Sequence, residues 1–177
     1  MICEILKSNN PKLRIKSKPV SKLDKKTKEI IKDLYDTLLA QKDPEGIGLA
    51  APQIGKNLRI FLMKDKDTIK TIINPEIVEI KKDLKNKSNK KKPKLMEGCL
   101  SLPHYYSPLT RYEYVTIKYK DENWEDKVET FIGLSAQIIQ HEIDHLNGIL
   151  FIDHVVGQQL PLYEHTKDGQ WQKVELT

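Results

Sequence analysis

Two stretches of the chain repeat apolar residues at the three- and four-residue spacing of a helix that buries one face. The first is residues 21–41, for which Ser21 is the predicted N-cap. The second is residues 134–146, followed by Gly148 at a position typical of a helix C-terminus. The apolar stripes consist of Leu23, Thr27, Ile30, Ile31, Leu34, Leu38 and Leu39 in the first helix, and of Leu134, Ile138, Ile139, Ile143 and Leu146 in the second.

Short runs rich in β-branched and apolar residues predict strands between and around these helices. They cover residues 58–63, 68–73, 76–80, 115–120 and 127–132. Residues 44–56 contain three Gly and two Pro, which indicates a loop or an irregular strand. In the tail, residues 154–177, only Asp168-Gly169 gives a signal, that of a hairpin turn between two short strands.

The order of these elements favours the α+β class over a wound parallel sheet, because most strands precede the main helix instead of alternating with helices. We therefore expect antiparallel or mixed β-sheets packed around a central helix, residues 134–146, with an additional N-terminal helix. A length of 177 residues fits one domain, 1–177, and is short for two.

Composition excludes several classes of protein. The 38% hydrophobic content is typical of a globular core, and no run of about 18 apolar residues could span a membrane. No secretion leader is recognisable, and two cysteines are too few for a disulfide-rich secreted domain, so we expect a reduced chain in the cytoplasm. The net charge of +5 comes from residues 81–94, which hold eight Lys and one Asp. The rest of the chain sums to −2, so DNA binding is not expected.

The second helix carries the sequence QHEIDHLNG, residues 140–148, which contains the H-E-x-x-H pattern. His141 and His145 lie about 40° apart around a helix, so both imidazoles can reach one ion. Glu142 lies beside them, where its carboxylate can transfer protons without binding the metal. The pattern can also arise by chance on a charged helix, but ionisable groups among buried isoleucines are costly unless they are paired or ligated.

A catalytic metal needs a third ligand and an open position. Asp153, His154 and His165 lie downstream of the two histidines and are candidates. Cys99, in EGCLSLP at residues 97–103, lies upstream and is a further candidate, although a lone cysteine is more often a small buried apolar residue. The residues alone leave this choice open.

Three segments, in this order, resemble the peptide deformylase family. They are GIGLAAPQ at 46–53, EGCLS at 97–101 and QHEIDH at 140–145, and they match the family motifs G-x-G-x-A-A-x-Q, E-G-C-x-S and Q-H-E-x-D-H at every fixed position. The resemblance extends from about residue 12 to residue 153. Any one of these motifs would be weak evidence, but three in the same order are specific.

The resemblance implies a hydrolase that removes the formyl group from N-formylmethionyl nascent peptides and releases formate. It implies one divalent metal ion held by Cys99, His141 and His145, with water at the fourth position. Fe²⁺ is the usual native ion in the family, and Zn²⁺, Ni²⁺ or Co²⁺ can replace it. Glu142 would act as the general base and acid, while the Gln53 amide and the Leu100 backbone N–H would stabilise the oxyanion.

The resemblance also implies where the substrate binds. The peptide backbone would lie alongside Ile47 and Gly48, with Gly98 on its other side. The methionine side chain would enter an apolar pocket formed by Leu95, Leu134, Ile138 and the ring of His141. Each of these apolar residues could instead belong to an ordinary core, so their assignment to the pocket rests on the resemblance.

Two features depart from the family pattern. Residues 85–94 look like a basic insertion, which is either a solvated loop or, as a hypothesis, a transient contact with ribosomal RNA. Many family members have Arg seven residues after the motif cysteine, where this chain has Tyr106. Arg111 matches a second family arginine and is expected to pair with Glu97.

Three rival functions fit parts of the sequence. A zinc endopeptidase would use a third ligand other than Cys99. A non-enzymatic basic module would bind through the lysine segment and need neither a metal nor Glu142. A deformylase-like protein without activity is disfavoured, because Gln53, Cys99, Glu142 and both histidines are all present.

Overall fold

The computed structural model describes residues 1–65, 67–81 and 95–175, and these ranges contain three α-helices and nine β-strands. The helices are α1 (Lys25–Ala40), α2 (Leu134–Leu146) and α3 (Phe151–Gly157). The strands are β1 (Gly48–Ala50), β2 (Ile60–Asp65), β3 (Thr68–Lys81), β4 (Glu97–Cys99), β5 (Leu102–Ser107), β6 (Tyr114–Lys120), β7 (Asp126–Ile132), β8 (Leu162–His165) and β9 (Trp171–Val174). Short 3-10 helices cover Pro11–Arg14 and Ala51–Ile54.

The strands form two sheets. One has five strands in the order β1-β2-β3-β6-β7, and the other has four in the order β4-β5-β8-β9. Every pairing between neighbouring strands in the two sheets is antiparallel. The predicted α+β class with antiparallel sheets is therefore confirmed.

The five-stranded sheet is buried on both faces near β2. Phe61 and Met63 belong to the apolar cluster that includes the isoleucines of α2, whereas Ile60 and Leu62 belong to the cluster that includes Ile30, Leu34 and Leu38 of α1. Successive side chains of a strand point to opposite faces, so β2 packs against α2 on one face and α1 on the other. This double burial explains why β2 is an uninterrupted apolar run rather than an alternating one.

The first helix begins later than its sequence pattern predicts. Asp24, not Ser21, is the N-cap, and its carboxylate accepts a hydrogen bond from the backbone N–H of Thr27 at 2.9 Å. The preceding segment cannot join the helix, because the backbone of Val20 is bonded at both its N–H and C=O to the side chain of Asn74, at 2.8 Å each. The N-cap prediction was wrong because this long-range contact is invisible in local sequence.

Residues 68–73 and 76–80 were predicted as two strands, but they form the single strand β3. Asn74 interrupts the regular geometry with a φ of 51°, and the pairing with β6 shifts register between Ile73 and Glu76. An Asn tolerates this left-handed conformation better than most residues. The Asn-Pro sequence therefore produces an irregularity within one strand instead of a turn between two.

The glycine-rich segment and the tail contain more regular structure than the sequence indicated. Residues 44–56 include β1 and the 3-10 helix Ala51–Ile54. In the tail, β8 and β9 pair as a hairpin whose turn contains Gly169 with a φ of 77°. The predicted turn at Asp168-Gly169 is confirmed.

The predicted basic loop, residues 85–94, lies outside the described residues. Within the described ranges, no helix combines the length and apolar character needed to cross a membrane.

Candidate metal centre and active-site cavity

Helix α2 and strand β4 bring three potential metal ligands together. His141 and His145 lie one turn apart on α2, with ring centroids separated by 4.9 Å, and both side chains are buried. The Sγ atom of Cys99, at the end of β4, lies 3.3 Å from Nε2 of His145. One ligand atom from each of the three residues lies within 4.8 Å of the others.

The other candidate ligands lie in different interactions. Asp153 accepts a hydrogen bond from Arg14, and His154 donates a 2.7 Å hydrogen bond to the carboxylate of Asp144. His165 packs its ring against Trp171 in the second sheet. Among the described residues, Cys99 is thus the third group that accompanies the two histidines.

The chemistry of this donor set fits a divalent transition metal. Burial alone would raise the pKa of the Cys99 thiol, but the adjacent His145 and His141 hold that pKa well below its usual range. A thiolate is the form that binds metals. His141 uses Nδ1 for a 2.8 Å hydrogen bond to Glu97, which leaves Nε2 for a ligand. Nδ1 of His145 is buried without a hydrogen-bond partner in the described part of the chain.

A buried ionic network orients His141. Glu97 accepts two hydrogen bonds from Arg111, at 2.6 and 3.0 Å, and one from Gln137 at 3.2 Å. The pKa of Glu97, which burial alone would raise, is lowered to about 2 by its hydrogen bonds with His141 and Arg111. Arg111 also donates to Asp144 at 2.6 Å.

The pairing of Arg111 with Glu97 was expected, but the roles of Asp144, His154 and Gln137 were not. Asp144 is a fixed residue of the third motif, which could have signalled a structural role. Gln137 follows the helical spacing from His141, one turn earlier on the same face. His154 was considered only as a metal ligand, and nothing in the local sequence indicates its bond to Asp144.

Glu142 carries a buried carboxylate oxygen that has no hydrogen-bond partner among the described residues. This oxygen is Oε2, and burial of the side chain raises the pKa of Glu142 to about 7. If residue 48 had a side chain, its Cβ would lie only 2.3 Å from the Oε1 atom of Glu142. Only glycine at position 48 therefore permits β1 to approach the carboxylate this closely.

Gln53 and Leu100 lie beside the thiol. The Gln53 Oε1 atom accepts a 2.8 Å hydrogen bond from the backbone N–H of Ala50, which fixes the amide. Its Nε2 atom donates to Ser101 Oγ at 3.1 Å and lies 3.8 Å from Cys99 Sγ. Leu100 follows Cys99 directly in the chain and lines the cavity that opens over these groups.

A cavity of about 130 Å³ opens over these groups. Five of the six residues predicted to bind substrate line it, namely Ile47, Gly48, Gly98, Leu134 and Ile138. Leu95 is not among its lining residues and is half exposed. β1 is an edge strand of the five-stranded sheet and β4 is an edge strand of the four-stranded sheet. Both strands line the cavity, which therefore lies between two sheet edges.

Comparison with known families gives one match over most of the chain. The sequence model described as "Polypeptide deformylase" matches residues 2–160. This range contains all three motifs and every residue of the candidate centre. It also extends beyond the 12–153 range in which the motifs and their flanks were recognised.

Individual relatives and solved structures agree with this match. The chain is 43% identical to a peptide deformylase of Pseudothermotoga lettingae over 86% of this chain and 82% of the relative. It is 38% identical to a peptide deformylase of Dictyoglomus thermophilum over 93% of this chain and 99% of the relative. The crystal structure of the Thermotoga maritima peptide deformylase superposes with a TM-score of 0.76 at 35% identity, covering 87% of this chain and 97% of that chain. The crystal structure of a Synechococcus elongatus peptide deformylase in complex with actinonin also superposes with a TM-score of 0.76. Its identity is 36%, and the match covers 86% of this chain and 78% of that chain.

Glu97→Gln tests whether the buried network prepares His141 for a metal. Loss of the negative charge leaves Arg111 underpaired and weakens the hydrogen bond to Nδ1 of His141, so we expect metal affinity to fall about 10- to 100-fold. Competition with a chelator of known affinity measures the change.

Glu129→Gln is the matched control. Glu129 also accepts hydrogen bonds, from Lys70 and Tyr119, but at a distance from the candidate centre. Equal metal affinity in the Glu97→Gln variant and this control would contradict a role for the network.

Proposed function

The chain belongs to the polypeptide deformylase family and removes the N-formyl group of nascent proteins, and we propose that it uses one divalent metal ion held by Cys99, His141 and His145. The observation that carries this proposal is the convergence of one thiol and two imidazoles in a buried site, with the carboxylate of Glu142 beside them. These groups come from β4 and from one face of α2.

Thiolate and imidazole ligands suit Fe²⁺, Zn²⁺, Ni²⁺ or Co²⁺ better than Mg²⁺ or Ca²⁺. We propose Fe²⁺ as the native ion on the basis of the family resemblance. When bound, such an ion supplies a Lewis acid that favours ionisation of water near neutral pH and polarises the formyl oxygen. We place this activity in the cytoplasm, in keeping with nascent chains as substrates and with two cysteines that are both free.

Glu142 is the proposed proton carrier. Its carboxylate takes a proton from the attacking water as the new carbon–oxygen bond forms. It then delivers the proton to the peptide nitrogen, the carbon–nitrogen bond breaks, and formate leaves from a free amino terminus. Burial raises the pKa of Glu142, and a raised pKa favours a group that can both accept and donate a proton.

Gln53 and Leu100 are the proposed oxyanion donors. The bond from Ala50 to Oε1 of Gln53 turns the amide N–H₂ toward Cys99 and Ser101, so one N–H can point into the cavity. The backbone N–H of Leu100 would be the second donor. Fixed donors of this kind contribute about 3–4 kcal/mol of transition-state stabilisation in other oxyanion holes.

Substrate selection follows from the two sheet edges. The backbone carbonyl of Ile47 is bonded to Lys64 of β2 at 2.8 Å, so alternation directs the backbone groups of Gly48 away from β2. We propose that the peptide pairs with this edge, with Gly98 on its other side. The methionine side chain then contacts Leu134 and Ile138, with Leu95 at the exposed end.

We propose that crowding beside Glu142 favours formyl over acetyl groups, because an acetyl group adds a methyl to the reacting carbon. The backbone of Gly48 approaches the carboxylate so closely that a Cβ there would lie 2.3 Å from Glu142 and 3.1 Å from Ile138. A zinc endopeptidase, which must accept a full residue on both sides of the bond, fits this cavity less well.

Glu142→Gln separates catalysis from metal binding. The amide cannot carry the proton, so we expect kcat for formate release from formyl-Met-Ala to fall about 10²- to 10⁴-fold. The metal content should stay at one ion per chain, as measured by elemental analysis of anaerobically purified protein.

Cys99→Ala provides the contrast, since it should lose the metal as well as the activity. A Cys99→Ala protein that retains its metal and cleaves internal peptide bonds would instead support the endopeptidase. Full formate release by Glu142→Gln would remove Glu142 from the proposed role.

We further propose that the lysine-rich segment around residues 85–94 makes a transient contact with ribosomal RNA, which its concentrated positive charge supports. Deletion of residues 85–94 should weaken co-sedimentation with ribosomes, and the wild-type binding should decline steeply with salt. Binding that is unchanged by the deletion would contradict this contact.

A further inference from the structure

The second sheet presents aromatic side chains on the face that continues from the cavity. Gly98 pairs with Tyr106, Tyr106 pairs with Tyr163, and His165 pairs with Trp171. Directly paired residues share a face, and residues two apart on one strand do as well. Tyr106, Tyr163, His165 and Trp171 therefore lie on one face, which we name the aromatic platform.

The opposite face of the same strands is occupied by the core. Leu162 is buried, and Tyr105 and Val174 pack against the same apolar cluster. The aromatic platform consequently points outward. Trp171 is 53% exposed, and its ring contacts with Tyr106 and His165 make it part of a contiguous patch rather than a single exposed residue.

Tyr106 joins the platform to the active site. Its side chain lines the cavity, and its ring covers Gly98, where a Cβ would lie 2.6 Å from the Tyr106 Cε1 atom. The edge of Trp171 packs on this ring with centroids 5.3 Å apart and planes at 74°. The Trp171 ring in turn packs against the His165 ring, with centroids 4.8 Å apart. The aromatic surface is thus continuous from the cavity wall to β9.

A nascent chain must leave the cavity across some part of its rim. The cavity of about 130 Å³ is smaller than the roughly 300–1,000 Å³ of pockets that enclose a drug-sized ligand. Only the first residue or so of the substrate can be enclosed. The following residues must pass over surface that is contiguous with the cavity, and the platform is such a surface.

We propose that the aromatic platform binds the downstream part of the formylated peptide and that Trp171 favours substrates with a large apolar or aromatic side chain there. This inference rests on the proposed function. The Trp171 ring packs 5.3 Å from the Tyr106 ring, which itself contacts Gly98. An extended chain covers about 3.3 Å per residue, so a peptide whose first residue lies beside Gly98 reaches Trp171 about three residues later.

Three of the four platform residues, Tyr163, His165 and Trp171, follow the range matched by the family model, which ends at residue 160. The hairpin β8–β9 thus extends the surface beside the catalytic site. Aromatic contacts of this kind change affinity by about 0.5–1.5 kcal/mol, which corresponds to roughly two- to tenfold.

The test compares two peptides and three proteins. The substrates are formyl-Met-Ala and formyl-Met-Ala-Ser-Phe-Phe, and the measured quantity is the ratio of kcat/KM for the long peptide to that for the short one. Trp171→Ala should lower this ratio about three- to tenfold, chiefly through KM, and Trp171→Phe should restore most of it.

Gln172→Ala is the matched control, because Gln172 is the exposed neighbour of Trp171 on the same strand and faces the other way. Its ratio should equal that of the wild type. A Trp171→Ala ratio equal to the wild-type ratio would overturn the proposal. If that variant also bound ribosomes less well, the platform would contact RNA instead of the peptide.

An equal loss on both peptides would likewise overturn the proposal, since Trp171 would then only support the fold around Tyr106. Absence of formate release by the wild-type enzyme from either peptide would instead refute the proposed function itself. The two failures are therefore distinguishable.

Discussion

The active site depends on the buried carboxylate of Glu97, which joins the second sheet to helix α2. Glu97 is 4% exposed, and its hydrogen bonds from Arg111, Gln137 and His141 offset the cost of burying its charge. Cys99 and Glu97 both face α2 from β4, since Cys99 lies 3.3 Å from His145 and Glu97 lies 2.8 Å from His141. Gly98 points the other way, toward the cavity and the ring of Tyr106. The Glu-Gly-Cys sequence thus places one residue in the network, one on the cavity side and one among the proposed metal ligands.

Apolar packing holds α2 against the five-stranded sheet, so that its histidines face Glu97 and Cys99 of β4. Isoleucines of α2 pack on Phe61 and Met63, while α1 covers the other face of the same strand. Gly48 allows the edge strand to approach Glu142, and the bond from Ala50 fixes the amide of Gln53. Polar groups that would be costly in an apolar core are therefore concentrated in a narrow space between two sheet edges.

Local sequence predicted the two long helices and most strands of the five-stranded sheet, but it missed β4, β5 and α3 and predicted few long-range contacts. The helical stripe of residues 134–146 and the turn at Asp168-Gly169 are local signals and were recovered. Ser21 was wrongly assigned as the N-cap because Asn74, distant in sequence, holds Val20 in an extended conformation. The spacing of His141 and His145 indicated a shared ion, but only the family resemblance selected Cys99 over Asp153, His154 and His165. The bond of His154 to Asp144 and the ring contact of Trp171 with Tyr106 depend on tertiary packing that no local pattern encodes.

The central claim is that one divalent ion is bound by a thiolate and two imidazoles from separate parts of the chain. X-ray absorption at the metal edge, on anaerobically purified protein, tests this claim most directly. We expect one sulfur ligand at about 2.3 Å and two nitrogen ligands at about 2.0–2.1 Å for a zinc-substituted sample. A metal shell that contains no sulfur in the wild-type protein would contradict the account.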